Sequence, residues 1–224
     1  MKTMALALLF VLFLISPVFA AEQPTLNGLD DEINYSVGHQ VGRDLARQQV
    51  KVNPEVLLQG ILDATSGAEP MLEFGKMIDV LAQFREKIVE RAEQRNTVNR
   101  QLGQAFLSNN AEKEGVVTLE SGLQYKIISP GTGKKAVSGD MVRVTYTGQD
   151  IHGKIFDSTT RDGVTTPVEF KVDDVIPGWY EALTLMPEGS EWELYLPHFL
   201  AFKDTGPLAG QTVVYQIKLL QVNP

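Results

Sequence analysis

The sequence predicts an α+β protein: an N-terminal all-helical region, a long connecting helix, and a C-terminal antiparallel β-sheet wrapped on a short helix. Three observations carry this. From about residue 29 to 90, apolar residues recur every third or fourth position. From about 71 to 110 there is no Pro, and Gly occurs only at 75 and 103. Beyond residue 118, runs of β-branched and aromatic residues alternate with Gly, Pro and Asp turns. The expected division is 1–20, a signal peptide; 21–70, helical; 71–112, the connecting helix; and 113–224, the β-rich domain.

The first segment is read from its pattern. Lys2 precedes the apolar run Ala5 to Ile15, Pro17 breaks it, and Val18-Phe19-Ala20 offers small residues for cleavage. The run is too short for a stable span, and no Cys follows that could carry a lipid. The weighed alternative is an uncleaved membrane anchor. Cleavage near Ala20 implies a periplasmic or secreted, outer-surface protein with no membrane span in the mature chain.

Charge and composition exclude several functions. The chain has 20 basic and 28 acidic residues, a net charge of −8, one unit more negative once Lys2 is removed. Such a chain repels phosphate backbones, so nucleic acid is not an expected partner. There is no Cys, which removes disulfides and thiolate chemistry. His39, His152 and His198 lie far apart and have no second ligand at metal spacing, so neither a metal nor a cofactor is expected. Gly131-Thr132-Gly133-Lys134-Lys135 lacks the spacing of a phosphate loop and reads as a turn.

Taken in order, Ile33, Val37, Val41 and Leu45 form one stripe on a first helix, with Gly38 and Gly42 beside it. Asn53-Pro54-Glu55 starts a second helix: an N-cap, a Pro at the first helical position, and an acid at the positive end of the dipole. Ser66-Gly67 ends it. These stripes are too large to leave exposed and too short to bury one another, which predicts a homodimer through residues 29 to 90. In the third helix Phe74, Met77, Ile78, Leu81, Phe84 and Ile88 keep the spacing, and then the stripe stops. Arg91 to Arg100 carries only Ala92 and Val98 as apolar residues, which predicts a helix packed at one end and solvent-bridging at the other. The weighed alternative is a break near Gly103. Strands are expected near Leu123–Ile128, Met141–Thr147, Val168–Val172, Glu191–Leu196 and Thr212–Val222, with a helix at Gly178–Met186.

The C-terminal region resembles the FKBP family of peptidyl-prolyl isomerases. The resemblance rests on Val144-Thr145-Tyr146-Thr147-Gly148, Gly153-Lys154-Ile155-Phe156-Asp157-Ser158, Val175-Ile176-Pro177-Gly178-Trp179, Ala182-Leu183 through Met186, Leu200-Ala201-Phe202, and the strand from Thr212 to Leu220. Tyr35-Ser36-Val37-Gly38, Asn53-Pro54-Glu55 and Ser121-Gly122-Leu123-Gln124-Tyr125-Lys126 are similar to its macrophage infectivity potentiator branch. The resemblance implies an isomerase of proline-containing unfolded or exported polypeptides, without a cofactor, and extends to macrolide inhibitors as ligands. It implies a substrate pocket of Tyr146, Phe156, Val168, Val175, Ile176, Trp179, Phe202 and Tyr215, with Trp179 as its floor and the Ile176 N–H holding a substrate carbonyl. Asp157 sits at the wall, either polarising the bound peptide or bonding within its own loop.

Two departures from the family stand out. Ala201-Phe202-Lys203 replaces the usual Ala-Tyr-Gly, so Phe202 lacks a hydroxyl that normally reaches substrate. The loop from Asp204 to Gln211 is short and lacks an apolar tip. The competing expectation is therefore a chaperone, a binding module whose isomerase site has decayed.

Overall fold

The computed structural model describes residues 24–224, so the signal segment lies outside the described residues. The described residues up to Met71 and residues 72–224 form two compact units. In the first, α1 spans Leu29–Arg47 and α2 spans Pro54–Ser66. The Asn53 side chain accepts from the Glu55 and Val56 N–H groups, and Pro54 occupies the first turn. Gly67, at φ +71°, closes α2 in the left-handed conformation that a side chain would resist. Neither helix buries any residue, and Ile33, Val37, Val41, Val56, Ile61 and Leu62 remain exposed.

In the second unit, α3 runs unbroken from Phe74 to Ala111, straight through Gly103. It is followed by β1 (Val116–Thr118), β2 (Gln124–Ser129), β3 (Met141–Asp150), β4 (Ile155–Ser158), β5 (Thr160–Arg161), β6 (Val164–Thr165) and β7 (Val168–Lys171). Then come α4 (Pro177–Leu185), β8 (Glu191–Leu196) and β9 (Val213–Val222). Seven strands form one antiparallel sheet in the order β1-β2-β8-β9-β3-β4, with β7 also pairing β3; β5 and β6 make a small separate hairpin. The short strands β1, β4, β5 and β6 were not expected from the sequence, because two to four residues hold too little periodicity to register.

The sheet packs its inner face on α4. Val142 and Val144 of β3, Leu194 and Leu196 of β8, and Ile217 and Leu219 of β9 are buried with Leu183 and Met186. Gly178 lets α4 approach β8, since a Cβ there would lie 2.6 Å from Leu196 Cδ2.

The second half of α3 departs from the expected solvent-bridging rod. Its polar residues face the domain: Asn96, Gly103 and Asn110 are buried. Asn110 Nδ2 donates to Gln124 Oε1 at 3.0 Å, and Gln124 Nε2 donates to the Leu107 carbonyl at 2.9 Å. Phe106 lies 6.1 Å from the ring of Tyr195. Tyr195 and Val214 point away from the α4 side of their strands and are nevertheless buried. The stripe continues beyond Ile88, but in amides and a glycine instead of aliphatic residues, which a hydrophobic period cannot detect.

Cutting the chain at residue 118 removes this cover from Tyr195, Val214 and Gln124. A fragment of residues 118–224 is therefore expected to melt about 5 °C or more below one of residues 84–224, followed by circular dichroism.

Candidate active site

The residues singled out from the sequence come together at one end of the sheet. Pro177 opens α4 and restricts Ile176 before it to extended backbone, observed at φ −61° and ψ 150°. In that conformation the Ile176 N–H makes no hydrogen bond among the described residues, while its carbonyl accepts from Trp179 and Tyr180. One turn on, Trp179 is buried. Its ring lies 4.9 Å from Tyr146, 5.1 Å from Tyr215 and 5.8 Å from Phe170, each edge-to-face. Edge-to-face pairing sets the positive rim of one ring against the negative face of the next. The Trp179 indole Nε1 is sealed and has no partner among the described residues.

A second group joins through Tyr215. Phe156 lies 5.6 Å from Tyr215 and 5.9 Å from Phe202, both edge-to-face. Gly148 makes this convergence possible: a Cβ there would sit 2.5 Å from Tyr215 Cε1 and 2.9 Å from Phe156. Tyr146, Phe156, Val168, Phe170, Val175, Ile176 and Phe202 are half-buried over the core. Their exposed portions make an apolar surface with Trp179 and Tyr215 beneath it.

Few polar groups enter this surface. The Tyr146 hydroxyl donates to Asp157 Oδ2 at 2.6 Å. Thr159 clasps the Tyr146 backbone at both ends, its Oγ1 accepting from the N–H at 2.9 Å and donating to the carbonyl at 3.1 Å. Burial pushes the Tyr146 phenol up to about 12, with the hydrogen bond to Asp157 and its negative charge adding to the effect. Burial likewise raises Tyr215, with the Tyr146 and Asp157 charges contributing. The Tyr215 hydroxyl forms no hydrogen bond among the described residues, so a phenol donor stands next to the Asp157–Tyr146 pair without a protein acceptor.

Phe170 joins this candidate surface, packed on Trp179, and the sequence reading missed it. It shares a face with Val168 two residues earlier, and period-two spacing from Val168 could have found it. Lys203, beside Phe202, adopts φ +55°, the left-handed region. A non-glycine side chain there costs about 1–2 kcal/mol.

Residues 30–127 match the family described as "Domain amino terminal to FKBP-type peptidyl-prolyl isomerase", and residues 132–220 match "FKBP-type peptidyl-prolyl cis-trans isomerase". The chain is 41% identical to "Outer membrane protein MIP" of Legionella longbeachae, over 91% of this chain and 90% of that protein. It is also 41% identical to the "FKBP-type 22 kDa peptidyl-prolyl cis-trans isomerase" of Escherichia coli, over 89% of this chain and 98% of that one. The crystal structure of FkpA from Escherichia coli superposes with a TM-score of 0.65 at 28% identity, covering 89% of this chain and 99% of that one.

The raised Tyr146 pKa gives a signed expectation. The fold favours the neutral phenol, so its contribution to stability is intact below the ordinary value near 10 and is lost as pH climbs through about 12. Asp157→Asn should move the Tyr146 titration downward but not fully to 10, because burial is the larger cause. Ring-carbon NMR of labelled tyrosine measures both positions.

Proposed function

The chain belongs to the FKBP-type peptidyl-prolyl cis-trans isomerases, and from that membership we propose how its side chains divide the work. It is a peptidyl-prolyl cis-trans isomerase. The observation that carries the assignment of roles is the nest of edge-to-face rings around Trp179, with one unpaired backbone donor at its rim.

An X–Pro bond turns over a barrier of ~18–20 kcal/mol, because planarity reflects amide resonance. The twisted transition state has lost that resonance and is less polar than the planar amide. The apolar surface of Tyr146, Phe156, Val168, Phe170, Val175 and Trp179 receives the prolyl ring and favours this less polar form. The Ile176 N–H donates to the flanking carbonyl and holds the peptide while the bond rotates. Asp157 and Tyr146 hold each other, which keeps the carboxylate at the wall and the phenol ring on the floor. Phe202 supplies a ring but no donor. The unpaired Tyr215 hydroxyl, on the other side of the same nest, offers the donor that Phe202 lacks.

A second reading is favoured by Phe202 and by the left-handed Lys203: a chaperone that binds prolyl segments with weakened catalysis. One kinetic series separates the two. Phe202→Tyr is expected to raise kcat/KM by a few fold, since a hydrogen bond is worth ~0.5–1.5 kcal/mol, or roughly three- to tenfold. Tyr215→Phe should lower it by a similar factor, and Trp179→Ala should weaken binding itself. Wild-type activity matching tyrosine-bearing relatives, untouched by either hydroxyl change, would leave no role for these donors. Four equally inactive proteins would make the chaperone reading the correct one.

The N-terminal helices are assigned to a homodimer, residues 21–70 forming the interface region and 71–112 connecting it to the isomerase region, 113–224. Support comes from the exposed faces of α1 and α2 and from Gly38 and Gly42, beside which the chain leaves open space. Light scattering of residues 21–224 at micromolar concentration should give twice the chain mass; a monomer mass would refute the assignment. No helix among the described residues is long and apolar enough to cross a membrane. The leader-like start and a relative called an outer membrane protein support a periplasmic or outer-surface location serving exported polypeptides.

A further inference from the structure

The loop after Phe202 is held by the long helix at both of its limbs. Its neck is closed by the Gly210 N–H, which donates to the Lys203 carbonyl at 2.7 Å. On the outgoing limb, Arg100 Nη1 donates to Asp204 Oδ1 at 2.7 Å. On the return limb, Asn99 Nδ2 donates to the carbonyl of buried Ala209 at 2.9 Å. Gly210 seats against the α3 backbone, where a Cβ would lie 2.7 Å from the Asn96 carbonyl oxygen. Beyond the loop, Thr212 fills the space beside Gly103, 2.3 Å from where a Cβ would be.

Phe202 is two residues from the gripped Asp204, and Lys203 between them is in a conformation that lysine resists. Strained backbone persists where the surroundings over-determine it. Here the surroundings are the α3 contacts and the neck hydrogen bond. The geometry points to Asn99 and Arg100 of α3 as positioning residues for the isomerase site: they hold the short loop so that Phe202 stays edge-on to Phe156. The helix that joins the two regions thereby sets the rim of the substrate pocket, and a pocket wall without a hydrogen-bonding tyrosine is kept in place from outside.

The energetics separate positioning from plain stability. Asp204 is exposed and Arg100 partly so, and solvent-accessible ion pairs add little to folding. Breaking the pair should leave the melting temperature almost unchanged while freeing the loop. Asn99→Ala is more severe, because it leaves the Ala209 carbonyl without its donor. Phe202 contacts substrate in ground and transition states alike, so a freed loop raises KM and spares kcat.

The test uses residues 21–224 and reads isomerisation kinetics together with amide hydrogen exchange. Asn99→Ala is expected to raise KM about three- to tenfold with kcat within about twofold, and to speed exchange in residues 203–211 but not in β9. Arg100→Asp and Asp204→Arg should each raise KM about two- to threefold, and the two together should restore it. Arg95→Ala, on the exposed side of α3, is the control and should change neither readout. Faster loop exchange with unchanged KM would overturn the proposal, since the loop would then be held without governing Phe202. Unchanged exchange would overturn it too, since α3 would not be what holds the loop. If the wild type does not isomerise, the catalytic reading has failed; prolyl-peptide affinity, followed by Trp179 fluorescence, then takes the place of KM with the same expectations.

Discussion

The indole of Trp179 is where the core of the sheet and the floor of the site become a single object. It is buried with the inner-face residues of β3, β8 and β9, and it touches Tyr146, Tyr215 and Phe170 edge-to-face. Its place follows from three local constraints. Pro177 starts α4 and sets Ile176 in extended backbone. Gly178 admits α4 against Leu196. Gly148 clears space on β3 for the rings of Tyr215 and Phe156. Disturbing any one of these displaces rings that belong to the core and to the proposed binding surface at once, so on that reading stability and function are coupled at this point.

The polar chemistry of the site is sparse, and the low polarity is what suits it to its reaction. Amide rotation needs no nucleophile and no proton held in readiness. It needs a place where a less polar amide is preferred and one or two donors that keep the peptide still. Apart from the sealed Trp179 indole, the Ile176 N–H and the Tyr215 hydroxyl are the donors around the rings without a partner among the described residues, and the Tyr146 hydroxyl is spent on Asp157. A tyrosine replaced by Phe202 thus leaves the apolar surface intact and removes only a donor.

The outer face of the sheet carries a different logic. Asn96, Asn99, Arg100, Gly103 and Asn110 form the docking side of α3, and four of these five are polar. Amide side chains are suited to this face because they satisfy loop carbonyls that no strand pairs. An aliphatic stripe would have left the carbonyl of buried Ala209 without its donor. The loop they hold follows Phe202 directly, so a surface that looks like a solvated helix in sequence becomes the seat of that loop.

Local chemistry was enough to read the helices and the longer strands. The Asn53-Pro54 start, the Gly67 end and the alternating residues of β3 and β9 each announce themselves within a few positions, because caps, turns and period-two burial are short-range effects. The candidate site residues were expected for a different reason: their order and spacing resemble a known family, and the fold brings them together at one end of the sheet. What the sequence by itself did not determine is which side of α3 would be buried after Ile88, that Phe170 would close over Trp179, and that the Tyr215 hydroxyl would lack a partner. Each depends on segments that lie from about nine to more than a hundred residues apart meeting in space. Burial of an amide or a glycine leaves no hydrophobic period, and the freedom of a hydroxyl is decided only by what fails to reach it. Those outcomes belong to the tertiary structure alone.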